Sequence, residues 1–175
     1  MAIAQNNFTL YRGKAYEGQI STTDVVEVVS RVVESALVPF GRAVIRGTAA
    51  RSCAPVTVAT TAEDIIGFSV RSLAEFSNSS PTNPDAYATG YPVSHVASIL
   101  HRGPMSALCV DGASAGEAVI VITAAGDNQG RLSAGSAAGV TLNFVRWVDD
   151  VVAGEIGEIR VDGVLAAPAA PSAGN

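Results

Sequence analysis

One local pattern repeats from residue 38 to residue 163 and limits the folds open to this chain. Short runs of β-branched residues are separated by clusters of Gly, Pro, Asn, Asp and Ser. Such runs at a spacing of about 8–12 residues are typical of a β-sandwich or barrel. The pattern predicts strands within 38–48, 55–60, 65–74, 93–103, 105–112, 117–132, 140–150 and 155–163. We therefore expect an all-β fold, an antiparallel β-sandwich or barrel of the jelly-roll or β-tulip kind, rather than a parallel α/β sheet.

The composition supports the same fold class. Apolar residues make up 48% of the 175 positions, and Val and Ile dominate among them while Leu and Met are sparse. β-Branched side chains favour a pleated, half-buried sheet surface over a helix. A chain of this length fits one domain that buries roughly 70% of the surface exposed by its unfolded form.

The charge balance argues against a nucleic-acid partner. The formal net charge is -5 and Lys14 is the only lysine, whereas binding to phosphate backbones needs a surplus of positive charge. Charged residues make up only 15% of the chain, which is low for a fully solvated surface. Two explanations stay open: a partner or further copies of the chain cover much of the surface, or Ala-rich and Gly-rich loops lower the charged fraction.

Three segments lack the strand pattern. Residues 1–20 predict an extended N-terminal arm and residues 164–175 a flexible Ala/Pro tail, which leaves 21–163 as the folded domain. Residues 75–92 form a long loop rich in Ser, Asn and Pro, and loops this long are usually functional or mobile. The arm and the loop supply the candidate partner contacts: Phe8, Tyr11, Tyr16, Asn83, Tyr87 and Tyr91.

Residues 24–37 give conflicting signals. Their apolar positions recur at helical spacing, and Glu27 and Arg31 would form an i,i+4 ion pair on the opposite face of a helix. A run this rich in valine, however, loses side-chain freedom in a helix and suits a strand. The residues alone leave helix and strand both open.

The pattern G-x-S-x-G at 112–116 presents a nucleophilic serine in many hydrolases. In an α/β-hydrolase a helix follows the serine, and an acid and then a histidine come later in the chain. Here the β-branched run EAVIVI follows Ser114, and both histidines precede it. We therefore predict a glycine turn between two strands, which lets Val119 and Val121 enter the sheet on one face.

No other motif predicts catalytic, cofactor-binding or metal-binding residues. His95 and His101 are six residues apart, and no further ligand in that run completes a metal site. We expect each to be an ordinary surface or half-buried histidine. Cys53 and Cys109 are expected to be buried free thiols. The polar N-terminus does not resemble a signal peptide, and no run approaches the roughly 18 apolar residues that a membrane span needs.

Several short motifs follow one another in a distinctive order along the chain. They are Gly18-Gln19, Val29-Ser30-Arg31, Pro39-Phe40-Gly41-Arg42-Ala43-Val44, Arg46-Gly47-Thr48, His101-Arg102-Gly103-Pro104-Met105 and Ala115-Gly116-Glu117-Ala118-Val119. This order resembles that of the head decoration proteins of tailed phages called structural cement proteins. The likeness covers about residues 10–163 and leaves out the Ala/Pro tail.

The resemblance implies a compact β-sandwich or barrel without catalytic residues. It implies a position on the outer surface of an icosahedral capsid, where the protein bridges neighbouring major capsid protein subunits after assembly in the host cytoplasm. It also implies that the valine run at 25–33 is extended. The implied partners are the major capsid protein and further copies of the chain, as a homodimer or homotrimer, with no cofactor, nucleic acid or membrane.

Two other functions compete with this interpretation. A carbohydrate-binding or receptor-binding β-sandwich, or another virion accessory protein, would need exposed aromatic side chains. Aromatic residues make up only 6% of the chain and Trp147 is the single tryptophan, so a buried Trp147 would count against this function. A hydrolase that uses Ser114 is the third hypothesis.

Overall fold

The computed structural model describes residues 15–20, 24–72, 90–135 and 139–162, and every regular element in these ranges is a strand. The strands are Glu27–Val33 (β1), Val38–Pro39 (β2), Ala43–Arg46 (β3), Ser52–Pro55 (β4), Ile65–Ser69 (β5), Gly90–Tyr91 (β6), Val96–Leu108 (β7), Ala118–Ile122 (β8), Leu132–Ser133 (β9), Gly139–Trp147 (β10) and Ile156–Val161 (β11). The predicted all-β class is confirmed. Within the described ranges, no helix is available to cross a membrane.

The strands form a nine-stranded sheet, which closes into two barrels, and a separate two-stranded sheet of β2 and β6. Nine strands follow the order β1-β4-β3-β5-β7-β11-β10-β8-β9, and an additional pairing joins β1 to β7. That pairing closes the first five strands of the order into one ring. On the other side, a parallel bridge between Cys109 and Leu132 brings β9 back to the end of β7. Strand pairing is antiparallel except for this bridge and the short contact between β1 and β4.

The long strand β7 belongs to both barrels. Its first half pairs with β1 as far as Arg102, opposite Glu27, and its second half pairs with β11 from Gly103 onward, opposite Val161. Gly103 has φ +114°, and a Cβ at this position would lie 2.7 Å from Cγ1 of Val26. A glycine is therefore required where β7 changes partners, because any side chain would meet the segment that leads into β1.

Each barrel has its own core. The first is filled by one or two residues from each of its five strands and is covered by residues from β2, β6 and the turn between β2 and β3: Val33, Val38, Phe40, Val44, Cys53, Ile66, Tyr91, Ala97 and Ile99. The larger cluster fills the second barrel around Met105, Val121, Trp147 and Ile159. Phe68 and Leu100 belong to this larger cluster, although they lie on strands of the first barrel. They therefore pack the two barrels against each other.

The fold agrees with one local prediction and differs from two others. Residues 27–33 form a strand, as the family resemblance implied, so the helical Glu27–Arg31 pair does not form. The two strands predicted at 93–103 and 105–112 are wrong in number, because β7 runs without a break from 96 to 108. The strand predicted at 55–60 is also misplaced: β4 ends at Pro55, and the next residues turn.

Candidate functional site

The segment 15–20 is the described part of the predicted arm, and it lies at the junction of the two barrels. The Gly18 amide donates to the Ser106 carbonyl over 2.8 Å, and the Ser106 amide donates to the Gln19 carbonyl over 2.8 Å. The Arg71 amide donates to the Gly18 carbonyl over 2.7 Å. These bonds attach the segment, called here the arm root, to β7 on one side and to the end of β5 on the other.

Two glycines permit this close attachment. Gly18 has φ +83°, and a Cβ on it would lie 2.7 Å from the Gly41 nitrogen and 3.0 Å from the Ser69 carbonyl oxygen. Gly41 has φ +72°, and a Cβ there would overlap the Glu17 side chain. The motifs Gly18-Gln19 and Pro39-Phe40-Gly41, far apart in the sequence, are therefore the two sides of one backbone contact.

Arg71 fixes the aromatic residue of the arm root. Its guanidinium carbon lies 5.4 Å from the ring centroid of Tyr16 and 5.0 Å from that of Phe40. Its Nε donates to the Glu17 carbonyl over 2.9 Å. A cation between two ring faces gains electrostatic attraction from both. The Tyr16 ring is thereby held at the surface, where it remains 47% exposed.

Glu17 lies among three arginines from different parts of the fold. Arg42 precedes β3, Arg71 follows β5 and Arg131 precedes β9, where its Nε is 3.6 Å from Glu17 Oε1. Burial raises the pKa of the Glu17 carboxyl, and the attraction of Arg131, Arg42 and Arg71 opposes this rise without cancelling it. The charged cluster therefore joins the arm root to both barrels at an electrostatic cost.

Of the six predicted contact residues, the structure describes two, and these two differ in exposure. Tyr16 is exposed, whereas Tyr91 is only 1% exposed. The Tyr91 ring packs edge to face on Phe40, with centroids 5.1 Å apart, and its hydroxyl donates to the Val70 carbonyl over 2.6 Å. Tyr91 thus does not offer its ring to a partner in this structure. The other four, Phe8, Tyr11, Asn83 and Tyr87, lie outside the described residues.

A second surface was not predicted from the sequence. Val28, Val32 and Val96 are 41%, 43% and 56% exposed, and Val32 lies directly opposite Val96 in the pairing of β1 with β7. The sequence alone does not reveal this surface, because β1 has valines on both faces and its pattern fits a helix as well as a strand. Strand alternation in 27–33 would have revealed it.

Comparison with known proteins supports one of the competing interpretations. The phage family described as structural cement protein (E217 gp24/Pam3 gp6) matches residues 4–162. The chain belongs to the structural cement protein family. No curated protein matches the sequence.

The fold of this cement protein also occurs in a solved structure. A chain in the capsid of Myoviridae phage XM1 superposes with a TM-score of 0.65 at 18% identity, over 93% of this chain and 99% of that chain. At this identity the similarity concerns the fold alone. The double barrel is therefore shared over nearly the full length of both chains.

Ser114 of the cement protein lies in a turn, as predicted. The Glu117 amide donates to the Ser114 carbonyl over 3.1 Å, and Gly116, with φ +84°, supplies the left-handed residue. The strand β8 follows instead of a helix, and its Val119 and Val121 side chains are buried. This strand-turn-strand arrangement lacks the helix of an α/β-hydrolase elbow.

Trp147 of the cement protein is 1% exposed, in the core of the second barrel. A side chain buried in this way does not form a glycan-binding platform, which counts against the carbohydrate-binding hypothesis. His95 is exposed and His101 half-buried, and burial lowers the pKa of His101. Cys53 and Cys109 are buried free thiols, as predicted. Within the described ranges, no group of three potential ligands is placed to hold a metal ion.

Proposed function

We propose that this protein binds the outer surface of a tailed-phage capsid and cements neighbouring major capsid protein subunits. The observation that carries the proposal is the match of the structural cement protein family over residues 4–162. The role is structural and non-catalytic. It places the protein in the virion after assembly in the host cytoplasm, with the major capsid protein and further copies of this chain, as a dimer or trimer, as its partners.

The arm supplies the bridging contact in this proposal. Extended segments bind neighbours through main-chain hydrogen bonds and side-chain pockets. Backbone bonds from Gly18, Gln19 and Arg71 fix the arm root to the junction of the barrels, so a neighbour that binds the arm is coupled to the whole fold. Phe8, Tyr11 and Tyr16 are the proposed contacts on the arm, together with Asn83 and Tyr87 on the long loop.

Repetition over a symmetric shell makes modest contacts sufficient. When several weak contacts act on connected copies, each later contact forms at a high effective concentration. A net charge of -5 suits the outside of a shell better than the DNA-filled inside, because an acidic surface does not attract phosphate backbones. Neither nucleic acid nor a membrane has a part in the proposed role.

The proposal is tested on heads prepared without this protein. Purified full-length chain is added and the heads are sedimented, and the loss of heads on heating or on addition of a chelator is then measured. We expect the chain to sediment with the heads and to protect them. Failure to sediment, together with unchanged head stability, would contradict the proposal.

Matched variants locate the contact. Tyr16→Ala removes an exposed ring of the arm root, and Val152→Ala removes an exposed side chain, 67% exposed, from the loop before β11. We expect Tyr16→Ala to weaken capsid binding several-fold and Val152→Ala to leave it unchanged. Equal binding by both variants would remove Tyr16 from the interface.

A further inference from the structure

The strand β1 has an open edge. Its last residues pair with β4, where the Val32 amide donates to the Arg51 carbonyl over 3.0 Å. Backbone groups of alternate residues point to the same edge of a strand, so those of Val28 and Ser30 point the same way as those of Val32. In the described part of the chain, no strand pairs with Val28 or Ser30 on that side.

Two opposite charges on β1 are too far apart to meet within one chain. Glu27 and Arg31 are four residues apart on a strand, which separates them by about 13 Å. Among the described residues neither forms a salt bridge, and the Nε atom of Arg31 is enclosed without a hydrogen-bond partner. Glu27 lies opposite Arg102 in the pairing with β7, but its side facing the open edge, like that of Arg31, has no charged partner on a neighbouring strand in the described residues.

A second copy of the chain satisfies both features at once. We propose that β1 pairs antiparallel with β1 of a second copy, about a two-fold axis that passes beside Val29. This inference rests on the self-association proposed above. In this register Glu27 of each copy lies opposite Arg31 of the other, and Val28 lies opposite Ser30. The two-fold axis creates each of these pairs twice.

The register is selected by charge and by backbone geometry. Pairs of even-numbered residues lie at the open edge and exchange main-chain hydrogen bonds, and odd-numbered pairs form the closer non-hydrogen-bonded positions. Shifting the axis to Ser30 would place Glu27 opposite Val33 and Arg31 opposite Val29, so that both charges lose their partners. Opposite charges directly across two strands stabilise the pairing. The axis beside Val29 is therefore favoured.

The apolar face supports the same arrangement. Val26 of one copy comes opposite Val32 of the other, and Val96 flanks Val32 within its own chain. The exposed fractions of these three valines, 37%, 43% and 56%, decrease when the strands pair. Removal of apolar surface from water adds to the main-chain hydrogen bonds along the edge.

Cross-linking tests the register on the full-length chain. Val29→Cys places two thiols at the two-fold axis, where the Cα atoms of a non-hydrogen-bonded pair are about 4.5 Å apart and within reach of a disulfide. Ser30→Cys is the matched control, because Ser30 lies opposite Val28 and not opposite itself. We expect Val29→Cys to form a covalent dimer under mild oxidation and Ser30→Cys to stay largely monomeric on a non-reducing gel. The reverse result would overturn the register.

Variants with exchanged charges test the pairing itself. Their dimerisation is measured by sedimentation velocity of the isolated protein. Glu27→Arg and Arg31→Glu each place like charges opposite one another twice, so each should weaken dimerisation about tenfold. The double exchange should restore it. A wild-type chain that sediments as a monomer at every concentration, or a double variant as weak as the singles, would overturn the inference. Capsid binding is measured separately, so a monomer that still binds heads would leave the proposed function standing.

Discussion

Gly18 and Gly41 lie back to back, so that a Cβ on Gly18 would come within 2.7 Å of the Gly41 nitrogen. This contact joins the arm root to the turn before β3. A Cβ on Gly18 would meet only backbone atoms, and a Cβ on Gly41 would overlap both the Glu17 side chain and the Gly18 nitrogen, so a larger residue at either position must displace backbone. The contact therefore determines whether the arm begins at a fixed point of the fold.

Gly18→Ala should lower the free energy of unfolding by roughly 2–4 kcal/mol, since steric overlap adds to backbone strain. Gly154 has φ +79° but no atom within 4 Å of an added Cβ, so Gly154→Ala should cost only about 1 kcal/mol. Urea denaturation measures both. Equal losses in the two variants would show that the close contact between the glycines is unimportant.

Glu17 should make the protein less stable as the pH rises. Its pKa in the folded chain is raised by burial, against the opposing attraction of Arg131, Arg42 and Arg71. The folded state therefore holds the proton more tightly than the unfolded state, and this stabilisation is present at low pH and lost as the pH rises through the folded pKa.

Glu17→Gln removes this titration. The free energy of unfolding of the wild type, relative to Glu17→Gln, should fall as the pH rises above the ordinary glutamate pKa of about 4.3 and through the raised pKa of the folded state. Urea denaturation at several pH values gives the difference. A wild type that gains stability over the variant with rising pH would show that the three arginines outweigh burial.

Glu34, in contrast to Glu17, should make the protein more stable as the pH rises. Its carboxylate accepts hydrogen bonds from the Thr48 amide over 2.6 Å, the Ala49 amide over 3.1 Å and the Ser52 hydroxyl over 3.1 Å. The hydrogen bonds from Thr48 are the largest cause of its lowered pKa. The stabilisation is therefore present above the unfolded pKa and lost as the pH falls through the folded pKa. Glu34→Gln should lower the melting temperature at pH 7, and the difference from wild type should shrink in acid.

Trp147→Ala should destabilise the second barrel by roughly 3–5 kcal/mol, because it leaves a large cavity in a close-packed core. The indole Nε1 also donates to the Ser133 carbonyl over 3.4 Å. Trp147→Phe keeps most of the volume and should cost less. Thermal unfolding compares the two variants. A Trp147→Ala variant with unchanged stability would contradict the buried position.

The strand pattern was readable from the sequence because turn residues mark most strand ends. It failed where a turn residue lies inside a strand: Gly103 and Pro104 suggest a break, yet β7 continues through them because it exchanges β1 for β11 at that point. It also failed at 55–60, where the Thr57 amide donates to Thr60 Oγ1 over 2.9 Å and forms a turn. Local patterns do not reveal partners from distant segments.

The candidate site was only partly predictable for the same reason. Aromatic residues in the arm and the loop are visible in the sequence, but the positions of Tyr16 and Tyr91 depend on Phe40 and Arg71, which are distant in the chain. The valines of β1 could be assigned to a surface only once β7 was known to lie beside them.

The shared strand β7 gives the molecule a mechanical property. A pull that draws the two barrels apart along this strand is carried by one continuous backbone from 96 to 108. The hydrogen bonds that β7 makes with β1 and β11 are then loaded in shear and must break together rather than one after another. We therefore expect the molecule to resist tension applied between its two barrels.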